Sequence, residues 1–354
     1  MPSITNTDDA GAKCLLIGKS GSGKTGSLAS LVAAGYNLRI IDTDKGVRPL
    51  RSLLTNPNYP YAKLITAKGI DLNYAVRYMP IDTSMKLQNV VRKIPGPGDR
   101  TTSERMLAPT DARSWTRVLD VMDKWPDQDA DIGSVRSWGL QDVFVLDSFS
   151  TLAKAAYYFS QSLNGRLGAR DSGNDYRRDV GEAQSQLTRL LELLYDSSIK
   201  CNVVVISHVT WVDESQGVAS RPQESKDGTT IITTPDGYPS AIGRALSPHM
   251  GKYFNDVFVV RSSGSGSSVS RTISTVPQDG VVAKNSAWME REYPVSYGLA
   301  EIFAKVRAQP SPTDVIDACK VSRRVEVPIA AATAPSASNT TLRRLPAPVA
   351  SSTV

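Results

Sequence analysis

Hydrophobic positions along the chain follow two periods, and the alternation between them predicts the fold. Short, largely apolar runs at residues 15–17, 38–41, 143–146 and 203–206 are each followed by a glycine or a polar residue. Runs this short, without polar alternation, read as strands covered on both faces. Other stretches carry apolar residues at helical spacing: Leu28, Leu31 and Val32; Trp115, Val118, Leu119, Met122 and Trp125; Val180, Ala183, Leu187, Leu190, Leu191 and Leu194. They predict helices after the first strand, over 111–125 and over 176–195, with further helices over 149–159 and 298–306. The stripe carrying Trp115 and Trp125 reads as core rather than as a binding platform. Strands alternating with one-faced helices predict an α/β fold with a mostly parallel central sheet and helices on both faces. Residues 253–261 and 268–276, on either side of Gly264-Ser-Gly-Ser, predict an antiparallel hairpin at the C-terminal edge of that sheet.

The same pattern marks where regular structure stops. Residues 1–11 are expected to be a flexible N-terminus, and the core to span 12–306. Within it, Pro57, Pro60, Pro80, Pro95, Pro97 and Pro109 cut 47–110 into short pieces. That stretch reads as an irregular insertion, with one strand at 78–81 and a loop over 94–99. Residues 160–175, carrying Arg166 and Arg170, and residues 213–240 are polar and read as mobile loops, the second with a small hairpin over 229–234. A short helical piece is expected over 241–246. From 307 to 354 the chain is rich in Pro, Ala and Ser and basic through Arg323, Arg324, Arg343 and Arg344. Apart from a short helix near 314–320, it is expected to be a disordered tail, because so little apolar surface does not offset the entropy of ordering.

Composition narrows the class. At 354 residues, 40% hydrophobic and 21% charged, the chain has the balance of a soluble globular protein. No window approaches the uninterrupted apolar length of a membrane span, and the N-terminus lacks a basic-then-apolar export signal. Cys14, Cys201 and Cys319 have no metal-ligand spacing and read as reduced thiols, so a cytoplasmic location is expected. A net charge of +6 permits a polyanionic partner without requiring one.

The chemistry begins after the first predicted strand. Gly18, Lys19, Ser20, Gly21, Ser22, Gly23, Lys24 and Thr25 match the phosphate-loop pattern G-x-x-x-x-G-K-[ST], between a strand and a helix as the motif requires. Its backbone N–H groups face a polyphosphate, Lys24 reaches the outer phosphates, and the Thr25 hydroxyl is a Mg²⁺ ligand. A chance Gly/Ser turn would not bring these flanks with it. The expected ligands are therefore ATP and Mg²⁺. Three more predicted strands end in polar residues: 38–41 runs into Asp42-Thr43-Asp44, 142–146 into Asp147 and Ser148, and 202–207 into His208. Open α/β sheets bind ligands at their carboxyl edge, which assigns Asp147 to the Mg²⁺ shell and Asp44 and His208 to the neighbourhood of the terminal phosphate. For His208 the alternative is a packed strand-end residue. For the basic residues of 160–178 the alternatives are phosphodiester contact or solvated surface charge.

Taken together, GKSGSGKT, IIDTDKG, VFVLDS, VVVISH and VVAKN resemble the RecA-like branch of P-loop ATPases. The likeness is to the phage nucleotide-binding group that includes single-strand annealing and recombination ATPases. The resemblance implies a RecA-like P-loop NTPase core. It assigns water activation to Asp44, coupling of the γ-phosphate to a DNA-binding loop to His208, and a lysine offered to the neighbouring subunit's nucleotide to Lys284. Apart from the resemblance, a positive charge missing at the γ-phosphate can come in trans, with Lys284 the first candidate and Arg244 the second. The resemblance further implies a DNA-stimulated ATPase and single-stranded DNA as partner. A homo-oligomeric ring or filament, a phage single-strand-binding protein as a further partner and the host cytoplasm follow from the same resemblance. Asp44 is a methylene shorter than the glutamate of RecA, and 47–110 has no counterpart in the family. Weighed against this are a helicase or packaging motor, for which no extra nucleic-acid motif or nuclease segment is legible, and a nucleotide-dependent switch or kinase-like enzyme, whose arginine-bearing lid 160–178 would imitate.

Overall fold

In the computed structural model, residues 11–82, 85–94, 100–110, 112–126, 132–168, 173–212, 223–224, 230–231, 236–243, 245–264, 268–278 and 280–324 are described. In chain order the elements are β1 Lys13–Ile17, α1 Lys24–Ala33, β2 Asn37–Asp42, α2 Val47–Thr55, α3 Pro60–Ala67, α4 Leu72–Ala75, β3 Val76–Pro80, β4 Met85–Ile94 and β5 Arg100–Pro109. There follow α5 Arg113–Asp123, β6 Asp142–Asp147, α6 Phe149–Leu163, α7 Gly173–Tyr195, β7 Asn202–Ser207, β8 Val209–Val212, β9 Gln223–Glu224, β10 Thr230–Ile231 and β11 Asp236–Pro239. The chain ends with α8 Leu246–His249, β12 Asp256–Ser263, β13 Ser270–Ser274, β14 Glu292–Pro294, α9 Gly298–Val306 and α10 Thr313–Arg324.

The central sheet has eight strands in the order β14-β13-β12-β1-β7-β6-β2-β3. From β12 to β3 every pairing is parallel, whereas β13 and β14 add on antiparallel at the C-terminal edge. This is the mostly parallel sheet with antiparallel C-terminal strands expected from the sequence. Successive strand residues alternate between two cores. Leu15, Ile17, Phe144, Leu146, Val203 and Val205 face α5, α6 and α7, while Cys14, Leu16, Val143, Val145, Val204 and Ile206 face α1, α2, α3, α9 and α10. Both faces are dry, which is why the strands show no polar alternation. The register sets the strand ends level, with Ile17 opposite Ser207, Ile206 opposite Asp147 and Asp147 opposite Asp42.

Several expectations are corrected. Residues 47–110 are not irregular: α2 and α3 pack on α1, and β3 pairs parallel with β2 as the outer strand of the sheet. The prolines fall where they fit, Pro60 opening α3 and Pro80 ending β3 on the sheet edge. Ile94 ends β4 in a long antiparallel hairpin with β5, while 95–99 lie outside the described residues. The expected loop at 160–175 is shorter, because α6 continues to Leu163 and α7 starts at Gly173. In 213–240, Thr230–Ile231 pairs with Gln223–Glu224, and a longer arm forms where β8 pairs with β11. The helical turn expected over 241–246 comes later, at Leu246–His249. The expected antiparallel hairpin at the C-terminal edge is present as β12 and β13, with β12 beside β1 and β14 added outside β13. Within the expected tail, α10 packs on α3, burying Val315 and Cys319 and pairing Asp314 with Lys68 at 2.5 Å. Residues 1–10 and 325–354 lie outside the described residues.

Candidate functional site: a phosphate-loop cleft at the carboxyl edge of the sheet

The loop from Gly18 to Gly23 leaves β1 and turns into α1. Gly23 sits at the N-cap with φ 103°, a backbone region that costs a side-chain-bearing residue strain, and so the loop bends into the helix there. Helix α1 carries no acidic residue in its first turn, leaving its free N–H groups to an anion. A cleft of about 1170 Å³ opens over this loop. Lys24, Thr25, Asp44, Gly46, Asp147 and His208 are its polar lining around the loop, and Pro49, Leu53, Tyr59, Tyr61, Val269 and Val295 its apolar lining, with Ser52, Ser270 and Arg271 also on the wall.

In the polar lining, Lys24 Nζ donates to the carbonyls of Gly18 (2.7 Å) and Lys19 (2.8 Å). Burial lowers the Lys24 pKa to about 8, against the opposing pull of Asp147 and Asp44. The Thr25 hydroxyl donates to Asp147 Oδ2 at 2.6 Å. Burial pushes the Asp147 carboxyl up to about 6, with the Thr25 hydrogen bond acting the other way. A buried carboxylate this reluctant to ionise is stabilised by a cation. Gly46 closes the same corner: a Cβ there would stand 3.2 Å from Asp147 Oδ2 and 3.4 Å from Thr25 Oγ1. The residues therefore fit a small hard cation. Thr25 offers hydroxyl lone pairs while Asp147 holds its proton, the oxygen chemistry Mg²⁺ takes. With a triphosphate on the loop, such an ion would neutralise charge on the outer phosphates.

The two acids of Asp42-Thr43-Asp44 divide the work. Asp42 is buried and accepts from the N–H groups of Gly46 (3.0 Å) and Val47 (3.4 Å), holding the start of α2. Thr43 Oγ1 donates to the Ser148 carbonyl and accepts from the Ser148 N–H, both at 2.9 Å, which ties the ends of β2 and β6 together. Asp44 turns into the cleft, with Oδ2 3.1 Å from His208 Nε2. His208 is set in turn by its backbone: its N–H donates to Ser150 Oγ (2.9 Å) and its carbonyl accepts from the Ser240 N–H (2.7 Å). Ser240 follows β11, so the histidine is clamped at the root of the β8–β11 arm. The chain thus brings together Lys24, Thr25, Asp44, Asp147 and His208.

Lys284 is not among the residues lining the cleft. It is exposed and bridged through its backbone to Val257, near the amino end of β12. Arg244 lies outside the described residues. Arg166 is committed elsewhere, ion-paired to Asp175 and, at 2.5 Å, to the buried Asp179. The apolar lining of the cleft was invisible to sequence reasoning. Tyr61 is tied to the Ser296 carbonyl through its hydroxyl, Tyr59 stands exposed at the rim, and Arg271 reaches over the loop to the Gly21 carbonyl at 3.4 Å. Only the path of α2, α3 and β13 brings these side chains to the loop, and no spacing in the sequence signals it.

No family model matches the chain, and no curated protein does. Among solved structures, a KaiC-like protein from the hyperthermophilic archaeon Pyrococcus horikoshii OT3 shares 12% identity, with 80% of this chain and 85% of that chain covered and a TM-score of 0.35. The flagellar accessory protein FlaH from Methanocaldococcus jannaschii shares 9%, with 79% and 83% covered and a TM-score of 0.31. Likeness at that level leaves the assignment to the residues themselves.

Proposed function

We propose that the chain is a Mg²⁺-dependent ATPase whose turnover is stimulated by single-stranded DNA in an oligomer, serving phage recombination, annealing or replication. The observation that carries hydrolysis is the convergence of Lys24, the Thr25–Asp147 pair and the Asp44–His208 pair on one phosphate loop. Loop amides and Lys24 hold the outer phosphates. Asp44 accepts a hydrogen bond from the attacking water, in reach of the His208 ring that orients it. Catalysis of this kind is positioning and charge stabilisation. The apolar lining of the cleft accepts a nucleobase, with Tyr59 free to stack.

The DNA output rests on the resemblance of the sequence blocks and on the β8–β11 arm, which starts at His208 and so senses whatever His208 touches. Lys284, distant from its own chain's cleft, fits a role on a neighbour's nucleotide. Within the stretch that would imitate a kinase lid, Arg166 is held by Asp175 and Asp179 and is not free to swing.

The test is ATP hydrolysis with and without single-stranded DNA at low salt, where phosphate contacts are strongest, for the wild type and Lys24→Ala. Stimulation that disappears in the variant supports the proposal. A rate indifferent to DNA, with no DNA binding, removes the DNA half and leaves the hydrolytic half to stand on Lys24 alone.

A further inference from the structure

Trp288 is 94% exposed, the most exposed large apolar side chain among the described residues. An indole left in water at this level is an unpartnered anchor, since tryptophan leads the residues that carry interface energy. It lies at the amino end of the sheet: two residues earlier, the Ser286 N–H and hydroxyl donate to Asp256 at the start of β12 (2.7 and 2.9 Å).

At the other end of the same strand is a second cavity, of about 220 Å³. It lies behind the phosphate loop, between the carboxyl end of β12 and the arm strand β8, with Val209, Trp211, Val259 and Val281 as apolar walls. The Ser22 hydroxyl lines it, buried to 1% exposure and without a hydrogen-bond partner. A dry cavity of about 150 Å³ already takes a benzene ring, so this one has room for an indole. The indole N–H is donor-only, which suits an orphan hydroxyl oxygen. Charge points the same way: Lys19 and Arg261 stand at the cavity, while Glu290 and Glu292 flank Arg291 just beyond Trp288.

We propose that Trp288 of one copy of this chain seats in the Ser22–Trp211 cavity of the next. The two patches differ and lie at opposite ends of β12, so the contact is heterologous and propagates into a ring or an open filament. It also reaches the site, because the cavity shares Gly18, Lys19 and Ser22 with the phosphate loop and Val209 adjoins His208. This inference builds on the proposed ATPase only for that last consequence; the contact itself stands on the cavity and the tryptophan.

The test uses the full chain with Mg²⁺ and a non-hydrolysable ATP analogue, sized by light scattering across a concentration series. The expected result is a mass that grows with concentration in the wild type. Trp288→Ala, an exposed change that leaves the melting temperature in place, raises the concentration for half-assembly by about thirtyfold or more. Val209→Phe, which fills the cavity from within, does the same. Mixing the two variants gives a dimer and nothing larger, because one good anchor and one good cavity remain between them. If Val209→Phe fails to fold, the emission component lost in Trp288→Phe provides the second readout: it becomes shielded from acrylamide as the wild type assembles.

A wild type that stays monomeric throughout overturns the proposal. So does a Trp288→Ala protein that assembles normally, or a Trp288 that stays quenchable in the assembly. Loss of DNA binding by an assembled Trp288→Ala also overturns it, in favour of a base-stacking role. Analogue affinity measured on the same samples keeps failure of the contact apart from failure of the nucleotide reading.

Discussion

The two ends of β1 carry the same group in the same state for opposite purposes. Lys13 opens the strand and Lys24 follows its loop; they are 4% and 6% exposed, and burial lowers both pKa values to about 8. Both hold two backbone carbonyls, Lys13 those of Ile199 (2.7 Å) and Cys201 (3.3 Å), Lys24 those of Gly18 (2.7 Å) and Lys19 (2.8 Å). Lys13, however, bonds across long sequence distance at the closed end of the sheet, pinning β1 to the turn before β7. Lys24 bonds only to the loop it closes and lines an open cleft. Burial and a shifted pKa therefore do not mark a functional residue by themselves. What separates the two lysines is whether an empty, polar-lined space lies within reach.

The sharpest way to break the comparison is to remove each lysine in turn. Lys24→Ala is expected to lower ATP hydrolysis by at least about a hundredfold, the cost of one preorganised charge at a developing transition state, with a melting temperature unchanged or raised. Lys13→Ala is expected to leave turnover per folded molecule intact and cost about 1–3 kcal/mol in denaturant unfolding, since two buried carbonyls lose their donor. A Lys13→Ala protein that is stable and inactive would erase the distinction.

The acids at the two ends extend it. Asp44→Asn is expected to lower kcat by about a hundredfold with nucleotide affinity retained, because a carboxylate that orients water is used only in the chemical step. His208→Gln is expected to follow it in part, since an amide still reaches Asp44. At the amino end, Asp256 is buried, its carboxyl pushed above the usual range by burial, and bound by Ser286. Asp256→Asn keeps an acceptor for Ser286 and discards a buried charge, so stability at pH 7 is expected to hold or rise while turnover is unaffected. Of smaller effect is Tyr59→Ala in the apolar lining of the cleft. It is expected to raise KM for ATP by several-fold up to about tenfold, the worth of one stacking contact, with kcat retained.

How much of this was legible in the sequence follows the same division. Groups fixed by local order were readable: the loop Gly18–Thr25, the strand ends at Asp44, Asp147 and His208, and the alternation that puts Leu15 and Leu16 in different cores. Groups placed by the path of the chain were not. Proline counting suggested an irregular 47–110, yet Pro60 and Pro80 sit at element ends where a missing N–H costs nothing, and the segment between them supplies Tyr61 and the outer strand β3. Arg166 read as a cation for phosphodiester contact or solvated surface charge because its buried partner, Asp179, lies thirteen residues on in the next helix, and no local spacing links the two. The triplet Asp42-Thr43-Asp44 shows the boundary: spacing identified it, but only the geometry separates Asp42, which holds α2, from Asp44, which meets His208.

The finest difference between the two ends is one of pH. For Lys13 the folded pKa of about 8 lies below the ordinary lysine value of 10.5, so below pH 8 both states are protonated and the folded state bears the full cost of a buried charge. Between 8 and 10.5 the unfolded chain binds more protons than the folded one, and stability rises with pH. Cys201, at the same end, has its thiol pushed up by burial to about 11 from 9.0, so above pH 9 the unfolded thiol ionises first and stability falls. Stability from these two groups is therefore expected to climb from pH 8, level off near pH 9 where the two slopes cancel, and fall above about pH 10.5. In Lys13→Met the climb should flatten by about 1 kcal/mol per pH unit relative to wild type, measured as the difference in urea unfolding free energy between the two proteins. The difference isolates Lys13, because Lys24 contributes a slope of the same sign to both. Equal slopes in the two proteins would mean that Lys13 keeps its proton in the fold up to its ordinary pKa, and that it holds Ile199 and Cys201 as a full ammonium that burial does not shift.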